Sequence, residues 1–392
     1  MEILAERLKN IPSYLFMQLR DRIRKVQATG VDLISLAIGD PDEPTPSYII
    51  EALREAVLDP VNNQYPTDEH RGMRVFREAV ARWYGRKYAV TLDPETEVLA
   101  LNGLKEGIHH FIMATVNPGD VVLVTNPGYP AYRANILMAG AEAYEVPLLE
   151  KNGFLPAFEE IPEAVCGRAK AFFLNYPNNP TGACADRDFF ARLVAWATRH
   201  GILLMNDNPY SEIVFTPERR LSLMQAPGAK DICVEFNSLS KAYNMTGWRI
   251  GMAVGSPKII GAMCRCKEYV TSGIFNAIQL ASIKAMDHGD GEIEKMLAIY
   301  RRRREMVLRA FAAMGMPLHP GDGTFYLWVP VPRGRTSLDF AERLLDQAGV
   351  LVTPGTAYGQ YGEGYVRLSL TVPDDRLEQA LERMRTVAGK GW

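Results

Sequence analysis

Five short runs rich in Val, Ile, Leu and Phe recur through the middle of the chain: EVLAL from Glu97, DVVLVTN from Asp120, AKAFFLN from Ala169, GILLMND from Gly201 and ICVEFNS from Ile232. Each is apolar at nearly every position, so neither face of such a strand can be left to water. Between them lie segments with helical spacing, KEGIHHFIMATV and DRDFFARLVAWATRH, which supply the apolar stripes needed as covers. Strands that need covering on both sides, alternating with helices, predict a mostly parallel central sheet flanked by helices: an α/β fold class.

At 392 residues the chain exceeds one ordinary core, and its C-terminal part changes character. The charged helical stretch EIEKMLAIYRRRREMVLRAFAAM leads into TFYLWVPV, a helix over 337–348, the strand-like VLVTP and YVRLSLT, and a last amphipathic helix. This reads as a smaller α+β unit. The expected division is 1–45, an arm and part of the small domain; 46–292, the large domain; and 293–392, the small domain.

With 44 Lys plus Arg against 46 Asp plus Glu, the net charge is -2, so no basic field exists to hold nucleic acid or an anionic membrane. MEILAERLKN lacks the pattern of a secretory leader, and no apolar run reaches the roughly 18 residues that would span a bilayer. A cytoplasmic protein acting on small molecules is expected. The five cysteines form no CxxC pair and no Cys/His cluster with zinc spacing, so reduced thiols and no metal are expected.

In SLSKAYNMTGWRIG, Lys241 lies close in sequence to a second cation, Arg249. An amine becomes a nucleophile toward a carbonyl when burial or a neighbouring cation lowers its pKa. Ser238, Ser240 and Arg249 together have the chemistry of a phosphate cup. An S-x-S-K run is by itself more often a solvated loop. Asn179, in FLNYPNNPTGA, can be a turn former that ends a strand, and Asp207, in LLMNDNPYSEI, can be a helix cap. Their shared position beyond strand ends is what raises them: ligands of open α/β sheets bind beyond the carboxyl ends of the strands, where Asn179, Asp207 and Lys241 would converge.

The ordered set NPGYP, NYPNNPTG, ND-x-x-Y and SLSK-x(7)-R, spread over essentially the whole chain, resembles the pyridoxal-phosphate-dependent class I/II aminotransferases of the aspartate aminotransferase fold. Within them, the arm YLFMQLRDRI, AIGDPDEPTP, YPNNPTG, SLSKAYNMTGWRIG and VTPGTAYG are most similar to the LL-diaminopimelate aminotransferases. The resemblance implies fold type I, pyridoxal 5'-phosphate as cofactor, a homodimer with a shared active site, and ping-pong transfer between LL-diaminopimelate and 2-oxoglutarate. A broader aminotransferase for aspartate, alanine, methionine or aromatic amino acids is the alternative. A lyase using the same lysine is a further one. A transcription regulator of this fold is not expected, since the enzyme pattern begins by residue 39.

The resemblance also implies roles. Lys241 would hold the cofactor and move a proton at the substrate α-carbon; Asp207 would pair with the ring nitrogen. Tyr210 and Asn179 would bond its phenolic oxygen, and Tyr129 would stack on its face. Gly103, Leu104 and Lys105 at a helix start, with Ser238, Ser240 and Arg249, would hold the phosphate, and Tyr65 would reach in from a second subunit. Arg367 would clamp the substrate carboxylate beside Gly39, with Asn179, Tyr14 and Lys105 also touching substrate. Three departures stand out: Leu104 replaces the usual Ser or Ala, the loop after Tyr65 is about two residues longer, and Pro209 stands between Asp207 and Tyr210. His109 and His110 read as packing or surface residues.

Overall fold

In the computed structural model, which describes residues 3–9, 11, 23–28, 30–66 and 70–391, the five apolar runs all lie in one seven-stranded sheet. After a two-residue strand β1 (Ile34–Ser35), its members are β2 (Val98–Leu101), β3 (Val121–Asn126), β4 (Glu142–Pro147), β5 (Ala169–Leu174), β6 (Leu203–Asp207), β7 (Cys233–Ser238) and β8 (Gly251–Gly255). The order is β2-β8-β7-β6-β5-β3-β4. All neighbours are parallel except β8, which runs antiparallel to both β2 and β7.

The period of two sorts the strand residues into two cores. On one face Leu99, Leu101, Val122, Val124, Phe173, Met205 and Phe236 pack with Ile108, Phe111 and Ile112 of the helix Leu104–Thr115 and with Ile260 and Met263 of the helix Pro257–Lys267. On the other, Val98, Ala100, Leu123, Phe172, Leu174 and Leu204 join Phe189, Leu193 and Trp196 of the helix Arg187–His200. Both covers bury their apolar stripes, which is why these strands carry apolar residues on both faces.

The C-terminal segment builds a second, antiparallel sheet. It consists of β9 (Tyr326–Pro330), β11 (Thr353–Pro354) and β12 (Tyr365–Ser369), in the order β11-β12-β9. β10 (Val350–Leu351) pairs instead with β1, in parallel. The predicted helix over 337–348 is Ser337–Ala348, started by the Thr336 side chain accepting from Asp339 N and stopped by Gly349 in the left-handed region. The long charged stretch is the helix Asp290–Ala313.

Two strands of the large sheet escaped the sequence reading for physical reasons. β4 is an edge strand, half-exposed and polar at Glu142 and Glu145, and β8 carries glycine at both ends. Among the described residues no helix is long and apolar enough to cross a membrane.

Candidate active site

β2 runs in the same direction as β7, so β2, β3, β5, β6 and β7 all end on one edge of the large sheet. A cavity of about 600 Å³ opens there, within the range usual for small-molecule sites. Its lining includes Gly39, Leu104, Lys105, Tyr129, Asn179, Asp207, Tyr210, Ser238, Ser240, Lys241 and Arg249. Eleven residues singled out from the sequence, drawn from six separate stretches, thus meet in one crevice.

Asp207 is the last residue of β6 and is buried. Tyr132 Oη donates to its Oδ2 at 2.6 Å, and Oδ1 has no hydrogen-bond partner among the described residues. Burial raises its pKa from 3.8 to about 6, and the Tyr132 hydrogen bond only partly offsets that. A buried, half-satisfied carboxylate facing a cavity is suited to a cationic N–H donor. Asn175, immediately after β5, clamps the neighbourhood: its Nδ2 donates to Asp207 O at 2.5 Å and its Oδ1 accepts from Asn179 N at 2.7 Å.

Lys241 sits in a four-residue helix, Leu239–Ala242, directly after β7. Its Nζ donates to Gly39 O at 3.0 Å. Burial lowers its pKa from 10.5 to about 8; the charges of Arg249 and Arg367 push the same way and Asp40 opposes them. The amine therefore carries an appreciable neutral fraction near neutral pH, as a carbonyl nucleophile requires. Ser238 caps this helix by accepting from Ser240 N at 3.1 Å.

Arg249 adopts a left-handed conformation, φ 55°, and donates from Nη1 to Thr246 O at 2.9 Å. Its guanidinium crosses the start of the helix Leu104–Thr115 so closely that a Cβ at Gly103 would lie 2.0 Å from Nη2. Gly103 also has φ 83°, a conformation that favours glycine there. Backbone N–H groups at a helix start, a guanidinium and two serines form an anion site of the kind that fits a phosphate.

Arg367, on β12, is fully buried and meets the cavity through Asn179 and Tyr326, which line it. It donates to Asn179 Oδ1 at 2.8 Å and Ala37 O at 2.6 Å, and its guanidinium carbon lies 3.8 Å from the Tyr326 ring centroid. The same Tyr326 forces glycine at position 39, where a Cβ would fall 1.8 Å from its hydroxyl oxygen. Tyr210 and Tyr326 hydroxyls are 3.4 Å apart, and burial pushes the Tyr210 phenol well up. Lys105 Nζ lies 5.9 Å from the Tyr129 ring centroid.

Two expected residues are not brought in. Tyr65 is exposed and away from the cavity lining, and Tyr14 lies outside the described residues. Others were missed. Tyr132 stands one helical turn after Tyr129, and Asn175 follows the run AFFL at the strand end that carries ligands; both positions were readable. Asp40 and Tyr326 had no such signal, because they reach the cavity through tertiary packing alone.

The family model for class I and II aminotransferases matches residues 31–384. The chain is 48% identical over 386 residues to the LL-diaminopimelate aminotransferase of Moorella thermoacetica, covering 98% of each chain. It is likewise 48% identical to that of Aquifex aeolicus, again covering 98% of each. Among solved structures, substrate-bound BacF from Bacillus subtilis superposes with a TM-score of 0.94 at 40% identity, over 99% of this chain and 98% of that one. The aspartate aminotransferase of Thermotoga maritima superposes with a TM-score of 0.90 at 30% identity, over 98% and 100%.

Proposed function

The chain belongs to the class I and II aminotransferases, and on that premise we propose that it works with pyridoxal 5'-phosphate, taking its amino group from LL-diaminopimelate and passing it to 2-oxoglutarate. The observation that carries the cofactor is the pairing of Asp207, with its unpartnered Oδ1, and the depressed-pKa amine of Lys241 across one cavity that also holds an anion cup. The residues present fit the group: Asp207 for a ring N–H, Asn179 and Tyr210 for a phenolic oxygen, Tyr129 for a ring face, and Gly103, Leu104, Lys105, Ser238, Ser240 and Arg249 for a phosphate. When bound, the cofactor supplies an aldehyde to take up an amine and a cationic ring that draws electrons from the substrate α-carbon.

The protein's own part is to bind, orient and move one proton. Arg367 presents its fork to the substrate α-carboxylate, and Asn179, tied to it at 2.8 Å, links that clamp to the cofactor side of the cavity. Lys241 Nζ, a largely buried amine with a lowered pKa, would take the proton from the substrate α-carbon and return it on the neighbouring side. Asp207 would hold a cationic ring N–H at its Oδ1 and favour the charged form of that ring. Lys105 on the cavity wall suits a second carboxylate.

The substrate assignment is supported by the names of relatives that match nearly end to end at 48% identity. A homodimer is supported by exposed apolar residues, Leu58, Val61, Tyr65, Tyr269 and Phe275. They flank the helices Ser47–Leu58 and Asn276–His288, which pack on each other. The test is a panel of amino donors with 2-oxoglutarate, including LL- and meso-diaminopimelate, aspartate and alanine. Preference for the LL form is expected; turnover of aspartate or alanine with none of LL-diaminopimelate would overturn the substrate. Borohydride reduction of the holoenzyme should leave the label on a peptide containing Lys241, and an unlabelled peptide would overturn the cofactor's attachment.

A further inference from the structure

We propose that Glu163, Cys166 and His200 bind a divalent cation of the zinc class at the edge of the large sheet opposite the active-site cavity. A carboxylate oxygen, the thiol sulfur and an imidazole nitrogen of these three residues all lie within 4.8 Å of one another. They come from two elements: Glu163 and Cys166 open and close the one-turn helix Glu163–Cys166, while His200 is the last residue of the helix Arg187–His200. The spacing of three in the first helix puts both side chains on one side. The third ligand is far away in sequence, which is why no metal spacing could be read there.

The donor set is specific. Thiolate, imidazole and carboxylate together suit zinc and its soft neighbours and disfavour magnesium and calcium, which take oxygen ligands. Tetrahedral zinc, with bonds of about 2.0–2.3 Å, places its ligand atoms roughly 3.3–3.8 Å apart. His200 Nδ1 is already 3.6 Å from Glu163 Oε1. Glu163 is exposed and can swing, Cys166 is fixed by burial, and the Trp196 ring, 5.0 Å from the His200 ring, limits the imidazole. An open cavity beside the group, lined by Glu159, Glu163, Trp196 and His200 among others, leaves room for water as the fourth ligand. Glu159 itself is held at 2.5 Å by Arg192.

Cys166 now donates to Ile161 O at 3.6 Å, and burial raises its pKa. The cation must displace that proton, so binding weakens as pH falls. Its role follows from its place. The helix Glu163–Cys166 leads into the start of β5, and Gly201 leads from His200 into the start of β6. Asn175 and Asp207 lie at the other ends of these strands, roughly 17–20 Å away for five or six residues. The cation therefore staples two helix ends and takes no part in the transfer reaction, and the inference does not depend on the substrate.

The test is equilibrium dialysis of the chelator-treated holoenzyme against zinc, with metal counted by mass spectrometry, on wild type, Cys166→Ser, His200→Gln and Glu163→Gln. About one zinc per chain above the variants' level is expected, with affinity at least about tenfold lower in each variant. Zinc should raise the thermal midpoint of wild type and leave that of His200→Gln unchanged, and aminotransferase turnover should persist in every variant, which also reports their folding. Glu163→Gln, at an exposed position, serves if the buried Cys166→Ser fails to fold. Equal zinc content in wild type and the folded variants, or no zinc in wild type, would overturn the proposal.

Discussion

At the residue scale, burial disfavours the charged forms of both Asp207 and Lys241, and the two shifts give stability opposite slopes with pH. Asp207 binds its proton more tightly when folded, about 6 against 3.8, so between those pH values the folded state holds more protons than the unfolded one. Stability of the cofactor-free protein must fall as pH rises through that window, by on the order of 3 kcal/mol in all. Asp207→Asn removes this dependence: its cofactor-free form should be the more stable of the two above about pH 6, as read by thermal midpoints across pH, while its turnover drops roughly 100-fold or more. A wild-type midpoint that does not decline from pH 4 to 6 relative to the variant would count against a buried carboxylate held only by Tyr132 at one oxygen. This pair also marks what the sequence could tell. Asp207, Asn179 and Lys241 were legible because each follows an apolar strand, and strand ends converge. Tyr132 Oη, which sets the Asp207 carboxylate, was legible only as a helix residue, since nothing in the spacing says which way its ring turns. Arg367 was legible by resemblance alone; that it would be buried against Tyr326 depends on a second sheet.

At the scale of elements, the site depends on a latch outside it. Arg303, on the helix Asp290–Ala313, is buried and donates to both oxygens of Asp42 at 2.7 and 2.9 Å, to Asp374 Oδ1 at 2.8 Å and to Leu370 O at 3.0 Å. One side chain thus ties the loop AIGDPDEPTP to the segment just after β12 and to the start of the helix Asp374–Ala388. That loop supplies Gly39 O to Lys241 and Ala37 O to Arg367. Arg303→Ala leaves Asp42 without its fork and Asp374 with Arg302 only, a loss of about 1–3 kcal/mol. Denaturant unfolding should show that loss, and steady-state kinetics should show KM for the amino donor rising several-fold with a smaller change in kcat, because binding groups rather than reacting ones are loosened. Unchanged KM with lowered stability would make Arg303 merely structural. No sequence pattern marks such a latch: an arginine within RRRR reads as a solvated face, and only the packing of the long helix against two distant segments selects one of the four. The sheet shows the same limit. Strands buried on both faces announced themselves, whereas β4 at the edge and β8 between glycines are defined by their neighbours.

At the scale of the whole molecule, the cavity opens to solvent, and Arg249 in its lining is exposed. Tyr65, the residue expected to meet the phosphate from a second subunit, is exposed, as are the apolar residues Leu58, Val61 and Tyr269. Exposed apolar side chains gain by being covered, and a paired second copy would shield them. If pairing brings Tyr65 to the neighbour's phosphate cup, Tyr65→Phe should weaken cofactor affinity about tenfold, the worth of one hydrogen bond to a charged group, and leave the particle mass at that of a dimer. Leu58→Asp combined with Tyr269→Asp should instead halve the mass in sedimentation and lose cofactor with it. The two effects can be joined in one experiment. Mixing Tyr65→Phe chains with Lys241→Ala chains produces hybrids in which one site has an intact Lys241 and an intact Tyr65 only if the tyrosine comes from across the interface. At a cofactor concentration that leaves Tyr65→Phe mostly empty, the mixture should regain activity that neither parent shows. Absence of that gain, with hybrids demonstrated by mass, would place Tyr65 in its own subunit's surface and leave Arg249 to be covered by something else.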